Sequence, residues 1–171
     1  MNNRGRLILV NGVMQRLLDR PGWSIKNQTI ACLHGISDML EINGIQPKLE
    51  GHVCDELICQ QYWYNGKMAD EVDVLFIKAD GRNHQMYFEN GVVFWRNQHD
   101  IPKSFKQKSG DAFAYPLVDI GEKCQLKNRL ITGLLVEPMP EGAKVTFEFE
   151  KGGVLVIYHL GNRSEIRLIR G

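Results

Sequence analysis

A histidine and two cysteines lie close together in "GHVCDELICQ", residues 51–60. Imidazole and thiolate are ligands that zinc prefers, so His52, Cys54 and Cys59 are the metal ligands to consider. Structural zinc sites usually combine two Cys-x2–4-Cys knuckles. Cys54 and Cys59, with four residues between them, are at the upper limit of that spacing, but the sequence has no second knuckle, and Cys124 could join them only through the tertiary fold. The missing second knuckle therefore favours buried thiols and a surface histidine, and we expect neither a metal nor another cofactor.

The familiar catalytic motifs are missing from the chain. It has no Gly-x-Ser-x-Gly turn for a serine nucleophile, no cysteine in an activating context and no glycine-rich loop that binds phosphate. We therefore predict a protein that is not an enzyme.

Three carboxylates, Asp70, Glu71 and Asp73, precede an apolar strand pattern in "KMADEVDV", residues 67–74. Clustered carboxylates can bind a divalent cation or act as acid and base. Because these stand at the entry to a strand, they are either a solvated sheet edge or an acidic patch that contacts a basic partner. We predict the patch as one part of a partner-binding site.

Aromatic residues cluster at two places, Tyr62-Trp63-Tyr64 and Phe94-Trp95. Successive side chains of a strand point to opposite faces, so one packed face cannot bury every member of either group. Either helices cover the second face, or some of these aromatics are exposed and mark a binding surface. We predict Trp63 and Trp95 as anchors for a partner, and a ligand pocket lined by Tyr62, Tyr64 and Trp95 is the alternative.

The first 45 residues show helical periodicity. The first stripe consists of Leu7, Val10, Met14, Leu17 and Leu18. Gly12 inside this pattern makes a short strand over 6–10 the competing prediction. A second helix is predicted over 25–42, after the N-cap Ser24 and before Asn43-Gly44, whose glycine suits a left-handed helix stop.

From residue 57 the apolar period changes to two, which is typical of β-strands. Tight turns are predicted at Asn65-Gly66, Asp80-Gly81 and Asn90-Gly91, because these residues tolerate the positive φ angles of short hairpins. After a polar loop at 97–111, four further strands are predicted within 128–139, 143–150, 153–160 and 165–170, with a turn at Gly152-Gly153.

Two stretches of the chain repeat one pattern, "MYFENGVVFWR" at 86–96 and "FEFEKGGVLVIYH" at 147–159. Each has Phe-Glu, one further residue, a glycine and an apolar run, so each is predicted to end one strand and begin the next. The residue preferences of tight turns alone can produce such similar patterns, which favours two similar hairpins over a duplication. One sheet system and two lobes joined by the loop at 97–111 both remain open.

Length and composition complete the fold prediction. The 171 residues suffice for one domain with its own core, and 43% hydrophobic and 24% charged residues are typical of globular proteins. We predict an α+β fold in a single domain, 1–171. N-terminal helices (1–45) would pack on an antiparallel meander or half-open barrel of about seven or eight strands (57–171).

The net charge of +1 provides no general attraction for nucleic acid or an anionic membrane, so neither is an expected partner. No segment approaches the ~20 apolar residues of a membrane-spanning helix. We therefore expect a cytosolic protein whose four cysteines, Cys32, Cys54, Cys59 and Cys124, are reduced.

The stretches "HQMYFENGVVFWR" and "LITGLLVEPMPEGAKVTFEFEKGGVLVIY" resemble the strand–glycine–strand style of immunity proteins from bacterial toxin–immunity systems. Those proteins are small, cytosolic and β-rich, and each binds and blocks a cognate toxin. The resemblance implies a bacterial protein-binding module that inhibits a toxin. The alternative is a β-barrel-like small-ligand binder or enzyme with an aromatic-lined pocket.

Overall fold

The computed structural model describes residues 8–10, 13–15, 40–98, 100 and 112–170. Residues 1–35 and 36–171 form two compact units. In the first, strands β1 (Ile8–Val10) and β2 (Val13–Gln15) pair antiparallel, with Leu9 opposite Met14. The predicted helix through these residues is therefore wrong, and the competing short strand over 6–10 is confirmed for its described residues, 8–10. The two strands flank Asn11-Gly12 in the sequence, the same residue pair that marks the later hairpin turns.

The α+β fold class is wrong as well. Most of the predicted helix over 25–42, residues 25–39, lies outside the described residues, and its last two residues are part of strand β3 (Glu41–Asn43). Helical structure in the described ranges is limited to the four-residue α1 (Ile120–Lys123) and a 3-10 turn (Glu150–Gly152). β3 pairs in parallel with residues 92–94, some fifty residues later in the chain. A local apolar stripe carries no information about such a distant partner, so the periodicity predicted a helix instead.

Seven strands of the second unit form one sheet. Four of them are an antiparallel meander: β4 (Cys54–Tyr64), β5 (Lys67–Ala79), β6 (Arg82–Glu89) and β7 (Val92–Gln98). β3 lies beside β7 at one edge, and β8 (Phe113–Ala114) and β9 (Leu117–Asp119) both pair with β4 at the other. Both residues of Asn65-Gly66, Asp80-Gly81 and Asn90-Gly91 have positive φ, so these three predicted turns are confirmed.

The last four strands form a second antiparallel sheet. Its order follows the sequence: β10 (Ile131–Met139), β11 (Gly142–Phe149), β12 (Gly153–Leu160) and β13 (Arg163–Arg170). The turn predicted at Gly152-Gly153 lies one residue earlier, where Lys151 and Gly152 have positive φ and Gly153 begins β12. The described strands exceed the predicted seven or eight, because strands of two or three residues, such as β8 and β9, carry little periodic signal.

One hydrophobic core joins the two sheets. Cys59, Leu75, Met86 and Trp95 lie side by side across the seven-stranded sheet, and all four are buried. The same core includes side chains of the four-stranded sheet: Val145, Phe147, Phe149, Leu155 and Ile157. The two sheets therefore stabilise each other through their inner faces, as two faces of a sandwich do.

The two Phe-Glu-x-Gly stretches belong to different sheets and make different turns. Asn90-Gly91 is a two-residue turn between Glu89 and Val92, whereas three residues separate Phe149 from Gly153. After the first turn, Trp95 points into the core and the neighbouring Phe94 stacks on Tyr87, with ring centroids 4.9 Å apart. The two stretches are therefore hairpins of different geometry, as expected when turn chemistry alone makes sequences alike.

Candidate partner-binding surface

Asp70 and Glu71 connect the two sheets. Asp70 Oδ1 accepts hydrogen bonds from the backbone N–H groups of Val72 and Ser164, each at 3.0 Å, and Glu71 Oε2 accepts one from the N–H of Ile166 at 3.0 Å. Ser164 and Ile166 are alternate residues of β13, the edge strand of the four-stranded sheet. The two carboxylates thus satisfy edge N–H groups that would otherwise need another partner.

Asp73, the third acidic residue, makes no such bond and is half-buried. Burial, and then the negative charge of Asp70, raise the pKa of its carboxyl above the usual range. Of the three predicted acidic residues, Asp73 is therefore the one whose charge is not satisfied by backbone N–H groups of the described chain.

A buried polar pair lies beside Asp70. His159 Nδ1 and Ser164 Oγ are 3.0 Å apart, and the residues are only 5% and 3% exposed. The imidazole stacks on Phe88 with centroids 4.6 Å apart, and burial lowers its pKa. Aspartate, histidine and serine suggest a catalytic triad, but Asp70 binds the backbone of Ser164 rather than the imidazole. Asp70 therefore does not orient the imidazole as a triad aspartate does.

The two predicted tryptophan anchors lie in different environments. Trp95 is 2% exposed and belongs to the core, and its indole N–H has no hydrogen-bond partner within the described residues. Trp63 is half-buried near the end of β4, where its Nε1–H donates to Gln61 Oε1 at 3.0 Å. The structure therefore places Trp63, and not Trp95, near a surface.

Trp63 lies in a cluster at the end of the β4–β5 hairpin, which we call the aromatic tip. Its six members are Tyr62, Trp63, Tyr64, Met68, Phe113 and Tyr115. Trp63 is opposite Met68 on β5, and Tyr64 is opposite Phe113 on β8. Tyr62 stacks on Tyr115 with ring centroids 5.4 Å apart, so strands distant in sequence converge here.

Much of the aromatic tip is accessible. Tyr64 is 51%, Phe113 44% and Met68 39% exposed. The acidic cluster is close, since Tyr62 is opposite Asp70 in the β4–β5 register. Burial and then the charge of Asp73 raise the pKa of the Tyr115 hydroxyl. The structure thus brings Trp63 and Asp73 into one region. Phe113 and Tyr115 were missed by sequence reasoning, although "FAYP" after the polar loop is an aromatic signal.

The cysteines are arranged as structural thiols. Cys54 and Cys59 are buried, and burial raises the pKa of each thiol to about 12. Cys59 Sγ donates to the carbonyl of Glu71 at 2.9 Å. In the described part of the chain, no group of three or more His, Cys, Asp and Glu residues could hold a metal ion. Cys32 lies outside the described residues.

The alternative pocket of Tyr62, Tyr64 and Trp95 does not form one lining, because Trp95 is in the core and Tyr64 is at the exposed tip. A cleft of about 410 Å³ lies elsewhere in the second unit. Polar side chains, among them His52, Arg82 and His84, line it.

No protein-family model, no curated protein and no solved structure matches the chain. Among the described residues, no helix has the length and apolar character needed to cross a membrane.

Proposed function

We propose that this protein is a protein-binding module and that the aromatic tip is its contact surface. The observation that carries the proposal is the exposure of apolar side chains at one hairpin end: Tyr64 and Phe113 are exposed cross-strand neighbours, and Met68 is the exposed cross-strand neighbour of the half-buried Trp63. Contiguous exposed apolar groups mark interaction sites in soluble proteins. Tyrosine, tryptophan, phenylalanine and methionine are also the residues that interfaces use most.

The tip suits a binding surface because its side chains are already held in place. Trp63 is oriented by its hydrogen bond to Gln61, and Tyr62 is stacked on Tyr115. Rigid aromatic side chains lose little conformational entropy on binding and bury a large apolar area. Trp63 is therefore the proposed central anchor, with Met68 opposite it, and Tyr64 and Phe113 form the second pair of the tip.

Other exposed apolar residues are more scattered. Leu135 and Ile169 are each 53% exposed, and they lie on the first and last strands of the four-stranded sheet. Nearby positions carry ion pairs, such as Lys144 Nζ with Glu137 Oε2 at 2.6 Å. Single exposed apolar residues are normal on a protein surface, so Leu135 and Ile169 are matched controls for the tip.

Of the three acidic residues, Asp73 is the one that we propose contacts a charged group of the partner. Because Asp70 and Glu71 hold β13, their replacement would disturb the fold together with any contact. A partner cation that pairs with Asp73 would favour the charged form of its carboxyl and strengthen complementarity. The cytosolic location and the toxin-inhibiting role are narrower parts of this proposal, supported by the sequence resemblance alone.

The proposal is tested by capture and reconstitution with matched variants. The wild-type protein is immobilised together with three variants, Trp63→Ala, Phe113→Ser and Leu135→Ser. Proteins from the native cell that these surfaces retain are purified, and each is titrated against the wild type and the variants. We expect one protein to bind wild type and Leu135→Ser equally. Its affinity for Trp63→Ala should fall by about 30-fold, the equivalent of ~2 kcal/mol for an anchor.

Circular dichroism spectra of the variants should match wild type, so that lost binding is not lost folding. Equal loss with Leu135→Ser, or unchanged affinity with both tip variants, would rule out the aromatic tip as the contact surface.

A further inference from the structure

A cavity of about 170 Å³ lies where the residues after α1 meet the β11–β12 turn and the end of β13. Leu126, Leu168 and Gly153 are among its lining residues, and Leu126 is buried. Its charged lining residues are Arg129, Lys151 and Arg170, and no carboxylate side chain of the described residues lines it. We call this feature the cationic cavity.

The three cations converge on Gly153. Arg170 is the cross-strand partner of Gly153 in the β12–β13 register, and Lys151 precedes it by two residues. A side chain at Gly153 would begin 3.4 Å from Arg129 Nη1 and 3.2 Å from Leu126 Cδ2. Because Gly153 has no Cβ, a space remains above the strand at this position, and the guanidinium of Arg129 lies at the border of that space.

These charges are not neutralised within the described chain. None of the three forms an ion pair with a described carboxylate, whereas Lys78, Lys127, Lys144 and Arg167 each pair with a glutamate. Like charges around one small cavity repel each other, and the repulsion is weakened least where side chains are partly buried, as Arg129 is. An anion in the cavity would relieve this repulsion.

We propose that the cationic cavity binds a phosphate group. Arginine forms bidentate hydrogen bonds with phosphate oxygens, and lysine adds a point charge. Three monocations suit a dianion better than a single carboxylate. At ~30 Å³ per water, the volume corresponds to about five or six waters, which is room for a phosphate group. The ligand is therefore free phosphate or the head of a small phosphate monoester.

The test uses inorganic phosphate and the full-length protein, with sodium chloride at equal ionic strength as the reference. We expect phosphate to raise the melting temperature saturably and to give a one-site isotherm by calorimetry. Arg170→Gln and Lys151→Gln, both at exposed positions, should each weaken phosphate binding by about tenfold, the loss expected for one charge-assisted hydrogen bond.

Arg163→Gln is the matched control, because Arg163 is the exposed first residue of the same strand that Arg170 ends. It removes the same charge and should leave phosphate affinity unchanged. Gly153→Ala keeps every charge and should weaken binding by occupying the space beside Arg129. If chloride stabilises the protein as much as phosphate does, or if Arg163→Gln weakens binding as much as Arg170→Gln, the effect is general charge screening and the site does not exist.

Discussion

Trp63 and Trp95 occupy strands of the same sheet, yet one is at an accessible tip and the other is in the core. Trp95 lies in the row that includes Met86 and Leu75, and this row shares a core with the four-stranded sheet. Trp63 lies near the end of β4, which pairs with the 13-residue β5. Strands β11, β12 and β13 have only eight residues each.

The difference in strand length explains the difference in environment. At about 3.4 Å per residue, five extra residues extend β5 by about 17 Å relative to the opposing strands. Side chains at the hairpin end then lack a facing sheet and remain accessible, as Tyr64 and Met68 do. A sandwich with unequal sheets can therefore keep one tryptophan for stability and offer another for contact.

The largest expected effect is at Trp95. Trp95→Ala should lower the free energy of unfolding by about 3–5 kcal/mol, because it leaves a large cavity in the core. Trp95→Phe should cost much less, since it keeps most of the ring and removes an N–H that has no partner in the described structure. Urea unfolding measures both, and a loss below ~1 kcal/mol for Trp95→Ala would contradict the core assignment.

The second largest loss of stability is expected when the acidic connection between the two sheets is removed. Asp70→Ala leaves the N–H groups of Val72 and Ser164 without their acceptor, so we expect a loss of about 1–3 kcal/mol in the free energy of unfolding. Asp73→Asn is the control, because Asp73 caps no backbone N–H and its ionised form is disfavoured by burial. Equal losses in both variants would show that Asp70 acts through charge alone.

Stability should also depend on pH through His159. The pKa of His159 is lowered in the folded state, so between that value and the unfolded value of about 6.5 the unfolded chain binds more protons. Stability is therefore complete above pH ~6.5 and falls as the pH drops toward the folded pKa. Among the described residues, Ser164 and Phe88 contact His159. The charge of Asp70 and a hydrogen bond with the backbone of Gly161 both oppose the lowering of its pKa.

Unfolding measured from pH 7.5 to 5 should show a smaller slope in His159→Gln than in wild type. His84 has a lowered pKa too, mainly through burial, and contributes in the same direction, so His84→Gln is the comparison variant. The raised pKa of Asp73 acts in the opposite sense, above its unfolded value near 3.8. An unchanged slope in His159→Gln would exclude His159 as the source.

The smallest stability effect is expected at Trp63. Trp63→Ala should lower the free energy of unfolding by only about 1 kcal/mol, because the side chain is half-buried at a hairpin end. Its main effect should instead be on partner affinity, as proposed above. If Trp63→Ala destabilises the protein as much as Trp95→Ala does, the contrast between a core and a contact tryptophan fails.

Short-range sequence features determined the turns and most of the strands. Asn65-Gly66, Asp80-Gly81 and Asn90-Gly91 were predictable because positive φ is a property of one or two residues and glycine meets it at little cost. Gly91→Val should for the same reason cost more than ~1 kcal/mol. The alternation within β11 likewise identified a strand with one buried face.

The candidate sites were decided only by the tertiary structure. The acceptor role of Asp70 depends on Ser164, 94 residues later in the chain, and no local pattern encodes that pairing. Alternation showed that Phe94 and Trp95 face opposite sides of a strand, but packing against the second sheet selected which of them is buried. The pairing of Tyr64 with Phe113, and the presence of Arg129 and Arg170 in one cavity lining, arise in the same way. Backbone φ and ψ respond to immediate neighbours, whereas burial and charge clustering depend on which distant strands pack together.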